Sequence, residues 1–147
     1  SEAAAAATTG QLKDRLDVWT VLLAFIAAGS VLNGLWMLIE PAHWYANIPA
    51  DVHDTGPFNP HFVRDIGCAF LTAGFALGWA VHSPALRFPL VVVGAFFYVA
   101  HAGLHVHDSA RGLVDAHHWL LDLPGVYLPA FVLAFAALRL RPGRGKM

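Results

Sequence analysis

Charge is what this chain has least of. Only 13% of its 147 residues are Asp, Glu, Lys or Arg, while 57% are hydrophobic. A soluble domain of this length carries about a quarter charged residues, so the deficit points to an integral membrane protein of one domain. The formal net charge is -1, which leaves no basic excess for a nucleic-acid partner. The single cysteine, Cys68, excludes an internal disulfide and any four-cysteine metal site. It lies in an apolar run and is expected to be a small buried hydrophobe. Neither a G-x-S-x-G, nor a P-loop, nor a nucleophile–base pair occurs, so hydrolase and ATPase chemistry lack support. The segment SEAAAAATTGQLKDRLD lacks the basic, then apolar, then cleavable pattern of a signal peptide. Its alanines favour a helical extension ahead of the first span.

What the chain does have is long apolar runs. A span needs about 20 mostly apolar residues. Four runs approach this, and the sequence predicts spans at about 17–39, 61–82, 87–105 and 119–139. The expected fold is all-α: a transmembrane four-helix bundle over 17–140, with an N-terminal extension (1–16) and a basic tail (141–147). Lys13, Arg15, Arg87, Arg139, Arg141, Arg144 and Lys146 flank one end of the spans. Glu40, Asp51, Asp54, Asp108 and Asp115, against Arg111 alone, lie at the other. By the positive-inside rule, both termini are cytoplasmic and the acidic loops face outward.

Local signals sharpen this plan. Asn59-Pro60 can cap and start the second span, and His82-Ser83-Pro84 makes a short turn between antiparallel neighbours. Pro124 and Pro129 are expected to kink the fourth span. Gly74 and Gly78 form a small-xxx-small pair for close helix approach.

Histidine is plentiful, with nine in the chain. Eight of these (His43, His53, His61, His101, His105, His107, His117 and His118) fall in or beside the two outward loops; only His82 does not. At a rise of about 1.5 Å per residue, Asn33, Arg64, Asp65, His101, His105 and Asp122 fall in one slab below the outer surface. Charges within a span normally face the bundle interior and pair. Since adjacent helix residues point about 100° apart, Asp122 is a better expected partner for Arg64 than is Asp65. This layer reads as a structural lock, as an interfacial Arg that snorkels, or as a route for transport or proton transfer.

His101 and His105 share a helix face at i, i+4 spacing, continuous with Gly94, Tyr98 and Asp108. Asp115, His118 and Asp122 form a second stripe. Imidazoles and carboxylates together suit a transition metal, so His101, His105, His107, His117 and His118, with Asp108 or Asp115, form a candidate copper or zinc site. The same histidines can instead bond to headgroups and backbone, or respond to pH. An axial haem pair, His101 with His61 or His118, is a further alternative. HxxxH and the His117-His118 doublet are also reminiscent of membrane di-iron hydroxylases, but the three histidine boxes those enzymes need are incomplete.

Thr55-Gly-Pro-Phe-Asn-Pro-His-Phe-Val-Arg-Asp-Ile-Gly67 resembles a run in small, uncharacterised bacterial four-span integral membrane proteins. Leu123-Pro-Gly-Val-Tyr-Leu-Pro129 resembles a second element of that group. The plan is distantly similar to DoxX-like proteins, some of which accompany quinone-linked oxidoreductases. The resemblance covers about two thirds of the chain. It implies a bacterial inner-membrane protein with its His-rich loops in the periplasm. It also implies a non-catalytic accessory subunit of a larger redox or energy-transducing complex, with other membrane subunits as partners. A metal-handling protein, and a small transporter or redox enzyme using the polar layer, are the competing expectations.

Overall fold

A computed structural model describes residues 17–143, and among these every regular element is helical. The expectations for 1–16 and for Arg144 and Lys146 lie outside the described residues. Helix α1 spans Val18–Ile39. The Asp17 side chain caps it, accepting from Thr20 N–H and from the Thr20 hydroxyl, both at 2.7 Å. Pro41 disfavours helical geometry in the residue before it. Glu40 accordingly leaves the helix with φ -129° and ψ 62°, and the short α2 (Pro41–Asn47) starts on the proline.

Helix α3 spans Pro60–His82 with the expected cap: Asn59 Oδ1 accepts from His61 N–H and Phe62 N–H. A 3-10 turn at Pro84–Leu86 leads into α4, Arg87–Ala110. No proline occurs between Ala102 and Ala110, and the single Gly103 costs the helix only about 1 kcal/mol, so α4 continues past residue 105. It stops where Gly112 takes the left-handed conformation (φ 66°), a position that costs glycine little.

The fourth apolar segment is built in three pieces: a one-turn helix α5 (His118–Leu121), a π-helical turn (Leu123–Tyr127) and α6 (Leu128–Arg139). Both prolines sit near the start of a piece. The missing N–H of Pro124 is absorbed by the wider turn, in which Asp122 C=O accepts from both Val126 and Tyr127 N–H.

Three of these helical stretches, Val18–Ile39, Pro60–His82 and Pro84–Ala110, are long and apolar enough to cross a membrane; Leu123–Arg139 is a shorter apolar stretch. Their outward faces carry Phe25, Leu32, Phe75, Phe96, Phe131 and Leu138, all exposed. So much exposed apolar surface would be a liability in water and suits contact with lipid. The chain is consistent with an integral membrane protein.

Helix α1 packs along α3, α3 against α4, and α4 against α6. Leu23, Leu77, Val91 and Leu133 are fully buried between them. The α1–α3 approach is set by glycines. A Cβ on Gly34 would stand 2.7 Å from Gly67 O, and one on Gly74 would stand 2.7 Å from Val31 Cγ2. Gly78, expected to act with Gly74, has open space at its Cβ. Cys68, expected to be buried, is exposed, because the buried face of α3 runs through Gly67, Phe70 and Gly74 instead.

Opposite the histidine-rich end, Arg87 is buried and has a structural task. Its Nε donates to Ala80 O at 3.1 Å and its Nη2 to Val81 O at 3.4 Å. These carbonyls belong to the last turn of α3, where no helical N–H reaches them. Asp17 Oδ2 lies 3.6 Å from Arg87 Nη1. Partial burial pushes the Asp17 carboxyl up, but the Thr20 N–H, the Thr20 hydroxyl and the Arg87 charge outweigh it, so its pKa lies below the ordinary 3.8.

Candidate functional site

The loop between α2 and α3 is folded tightly over the end of the helices. Asp51 takes a left-handed conformation (φ 45°), which asparagine and aspartate tolerate better than most residues. That turn starts a 3-10 helix at Val52–Thr55. Thr55 Oγ1 donates to Val52 O at 2.6 Å, and Tyr45 OH donates to Gly56 O at 2.7 Å, tying the loop to α2. The loop thereby holds two carboxylates, those of Asp51 and Asp54, against the start of α5.

There they meet the histidine doublet. Asp54 Oδ2 lies 3.2 Å from His118 Nε2 and 3.8 Å from His117 Nε2. Asp51 Oδ2 is 3.3 Å from His117 Nε2. One ligand atom from each of Asp54, His117 and His118 falls within 4.8 Å of the others. His118 is buried, at 1% exposure, while the other two are open to solvent.

A second tier lies directly beneath. Asp122, 2% exposed, places Oδ2 2.7 Å from His105 Nδ1 and 3.8 Å from His118 Nδ1. The longer distance exceeds a hydrogen bond. His118 Nε2 is the ring nitrogen within hydrogen-bond distance of a carboxylate, that of Asp54, while Nδ1 faces Asp122 beyond that distance. Asp122 Oδ1 is buried with no hydrogen-bond partner.

The expected slab is therefore only partly assembled. Arg64 is exposed and its Nε donates to Leu38 O at 3.2 Å, not to Asp122. Asp65 is exposed and pairs with His61 at 3.3 Å, one turn away on the same helix. The start of α3 turns this charged face outward, and Asp122 takes histidine partners instead of arginine. Asn33 stays half-buried but serves α2: its Oδ1 accepts from Trp44 Nε1 at 2.8 Å.

The expected metal ligands divide as well. His117 and His118 converge. His101 packs between Phe70 and Phe97, with its ring 4.7 Å from that of His105. His107 is exposed and meets Asp108, its sequence neighbour, at 3.0 Å. Asp115 is exposed, and the contact it makes to the doublet is through its backbone carbonyl, which accepts from His118 N–H. His61, one candidate axial partner for His101, is exposed beside Asp65. His43 accepts from Trp36 Nε1 at 3.0 Å, and His53 stands 3.6 Å from Asp54.

Asp54 is the residue that reading along the chain did not single out. Its signal was its place in an acidic, proline-rich loop facing a histidine-rich one. Proximity along the chain favoured Asp108 and Asp115; the fold brings in a carboxylate 64 residues from His118.

A cavity of about 560 Å³ opens between α1, α3, α4 and the π-helical turn. Its walls are mostly apolar and include Phe25, Ile26, Phe62, Ile66 and Phe70, while His105, His118 and Asp122 also line it. Comparison of the chain with protein-family models, curated proteins and solved structures gives no match.

Proposed function

We propose that this chain is a four-span integral membrane protein that holds a transition-metal ion, zinc or copper, at its outward end. Asp54, His117 and His118 are the ligands. The convergence of their ligand atoms within 4.8 Å carries the reading. Ligands at 2.0–2.2 Å in a tetrahedral zinc site stand about 3.3–3.6 Å apart. The observed 3.2 and 3.8 Å from Asp54 to the two imidazoles need little adjustment. A His₂–carboxylate set leaves a fourth position open, within reach of Asp51 or a further ligand. Asp122 Oδ2, 3.8 Å behind His118 Nδ1, is the carboxylate that would have to close in by several tenths of an ångström to orient a metal-bound imidazole.

The topology belongs to the same proposal. Three membrane-length helices and the shorter Leu123–Arg139 stretch form the bundle, with the basic ends cytoplasmic and the metal centre in the periplasm of a bacterial inner membrane. The resemblance of Thr55–Gly67 to bacterial four-span proteins supports that location. An accessory-subunit role draws its support from size and composition, whereas the His/Asp convergence is specific, and we rank it first.

The test is elemental analysis of protein purified in mild detergent through a tag without histidine, followed by zinc titration of chelator-treated protein. His117→Ala and Asp54→Ala should each weaken binding by at least roughly 10–100-fold, the loss typical of even indirect ligand supports. His107→Ala should bind as the parent does. Absence of stoichiometric metal, together with unchanged zinc binding in His117→Ala, would refute the assignment.

A further inference from the structure

The cavity between α1, α3, α4 and the π-helical turn is long, and its two ends differ. At about 560 Å³ it falls within the roughly 300–1,000 Å³ typical of small-molecule sites. Along α4 its wall runs from Tyr98 to Asp108, a stretch of helix that rises about 15 Å. Phe25, Phe70 and Tyr98 line it near the middle of their helices, whereas Asp108 lines it at the histidine-rich end. Its acidic residues are Asp108 and Asp122, and among the described residues that line it there is no lysine or arginine. Asp122 is buried against His105. Asp108 is the carboxylate a ligand can reach: its side chain is 30% exposed, and its Oδ1 meets only the exposed His107.

We infer that this cavity binds a single-chain lipophilic cation, an alkylammonium, with its positive head beside Asp108 and its chain along the apolar wall towards Phe25 and Phe70. The length and the apolar lining suit one chain. The carboxylate at one end, unopposed by any lysine or arginine in the wall, selects the sign of the head. Unit charges interact far more strongly beside a protein than in bulk water, so a sulfate or carboxylate head is disfavoured there. The aromatic side chains in the wall act in the same direction, because cations are attracted to ring faces. Phe25, Phe62 and Ile66 line the cavity and are also exposed, so the space is open to amphiphiles that partition into the surrounding bilayer. The cavity shares His118 and Asp122 with the metal centre, and an ion there would add positive charge beside it. Binding is therefore read with metal chelated.

The probes are decyltrimethylammonium and decyl sulfate, which carry the same chain and opposite permanent charges. Equilibrium dialysis against protein in zwitterionic nanodiscs, with empty nanodiscs of the same lipid as the baseline and EDTA throughout, measures saturable binding. The cation should bind one per chain and at least roughly tenfold tighter than the sulfate, well within what two unit charges in contact supply away from bulk water. Asp108→Asn keeps the shape of the side chain and removes its charge; it should weaken the cation at least roughly tenfold and leave the sulfate no weaker. Gly29→Leu tests the apolar part. Gly29 lines the cavity, and a Cβ there meets nothing within 4 Å. Leucine also favours the helix more than glycine does, so it fills space at little cost to the fold, and the cation should lose saturable binding.

Any of four results would overturn the inference: no saturable binding of the cation above empty nanodiscs, a sulfate that binds the parent as tightly as the cation, unchanged cation binding in Asp108→Asn, or unchanged cation binding in Gly29→Leu. Should Gly29→Leu fail to fold, the parent comparison and Asp108→Asn decide. Neither Asp108 nor Gly29 is one of the proposed metal ligands, and the metal reading is judged by zinc binding in His117→Ala, so failure of one proposal is distinguishable from failure of the other.

Discussion

Replacing Asp122 tests which partner the fold has given it. Its Oδ2 stands 2.7 Å from His105 Nδ1, and its side chain is 2% exposed. A hydrogen bond involving a charged group contributes about 1.5–3 kcal/mol net, and a stranded buried partner adds to the loss. Asp122→Ala should therefore destabilise the protein by about 2–4 kcal/mol, a large but survivable fraction of the ~5–15 kcal/mol of a typical domain. The specific quantity is the coupling. In a double-mutant cycle, His105→Ala and Asp122→Ala should couple by about 1.5–3 kcal/mol. Arg64→Ala and Asp122→Ala should add within about 0.5 kcal/mol, because Arg64 bonds to Leu38 O instead. Unfolding by SDS in mixed micelles, followed by circular dichroism, supplies all the stabilities. A His105–Asp122 coupling under about 0.5 kcal/mol would refute the pairing with His105, and an Arg64–Asp122 coupling well above that value would show that the carboxylate is paired as the sequence alone suggests.

Two further substitutions follow from the packing. Gly74→Ala places a methyl 2.7 Å from Val31 Cγ2 and 3.1 Å from Ala27 O and should destabilise by about 1–3 kcal/mol; Gly78→Ala meets open space and should be neutral or stabilising by up to about 1 kcal/mol. Equal effects in thermal melts would mean that α1 and α3 do not approach at Gly74. Asp17→Ala should remove the α1 cap at a cost of about 0.5–2 kcal/mol at neutral pH. Because the folded pKa of Asp17 lies below 3.8, its contribution is complete above that value and is lost as pH falls through the folded pKa. The difference between parent and variant should therefore close only in strong acid. A gap that closes already near pH 6 would assign it to another group.

Two sequence features were followed closely by the structure because each is decided locally. Asn59-Pro60 starts α3 as a cap with proline behind it, since both effects act within one turn. The His101–His105 stripe lies on one face of α4, as helical periodicity requires. The wide turn at Pro124 was legible as a disruption, though its π-helical form was not.

The site was legible only in part. His117 and His118 stood out by their density, but Asp54 did not, because nothing in a 64-residue separation says which loop folds over which helix. Arg64 shows the opposite error. A charge near a membrane segment is expected to turn inward and pair, yet α3 is rotated by its glycine contacts with α1, and that rotation points Arg64 and Asp65 outward. Cys68 is exposed for the same reason.

Composition and apolar run length alone pointed to a helical chain with four apolar runs, because both follow from the cost of exposing backbone and charge to hydrocarbon; the structure makes three of them long enough to cross a membrane and leaves Leu123–Arg139 shorter. The helical phase of the His101–His105 stripe was also fixed locally, whereas Asp115 of the second stripe lies outside the helix that starts at His118. Only the tertiary structure decided which carboxylate meets which imidazole. That choice depends on the rotation of each helix about its axis, set by Gly34, Gly67 and Gly74 in close contact, and on the left-handed turn at Asp51 that lays Asp54 over His118.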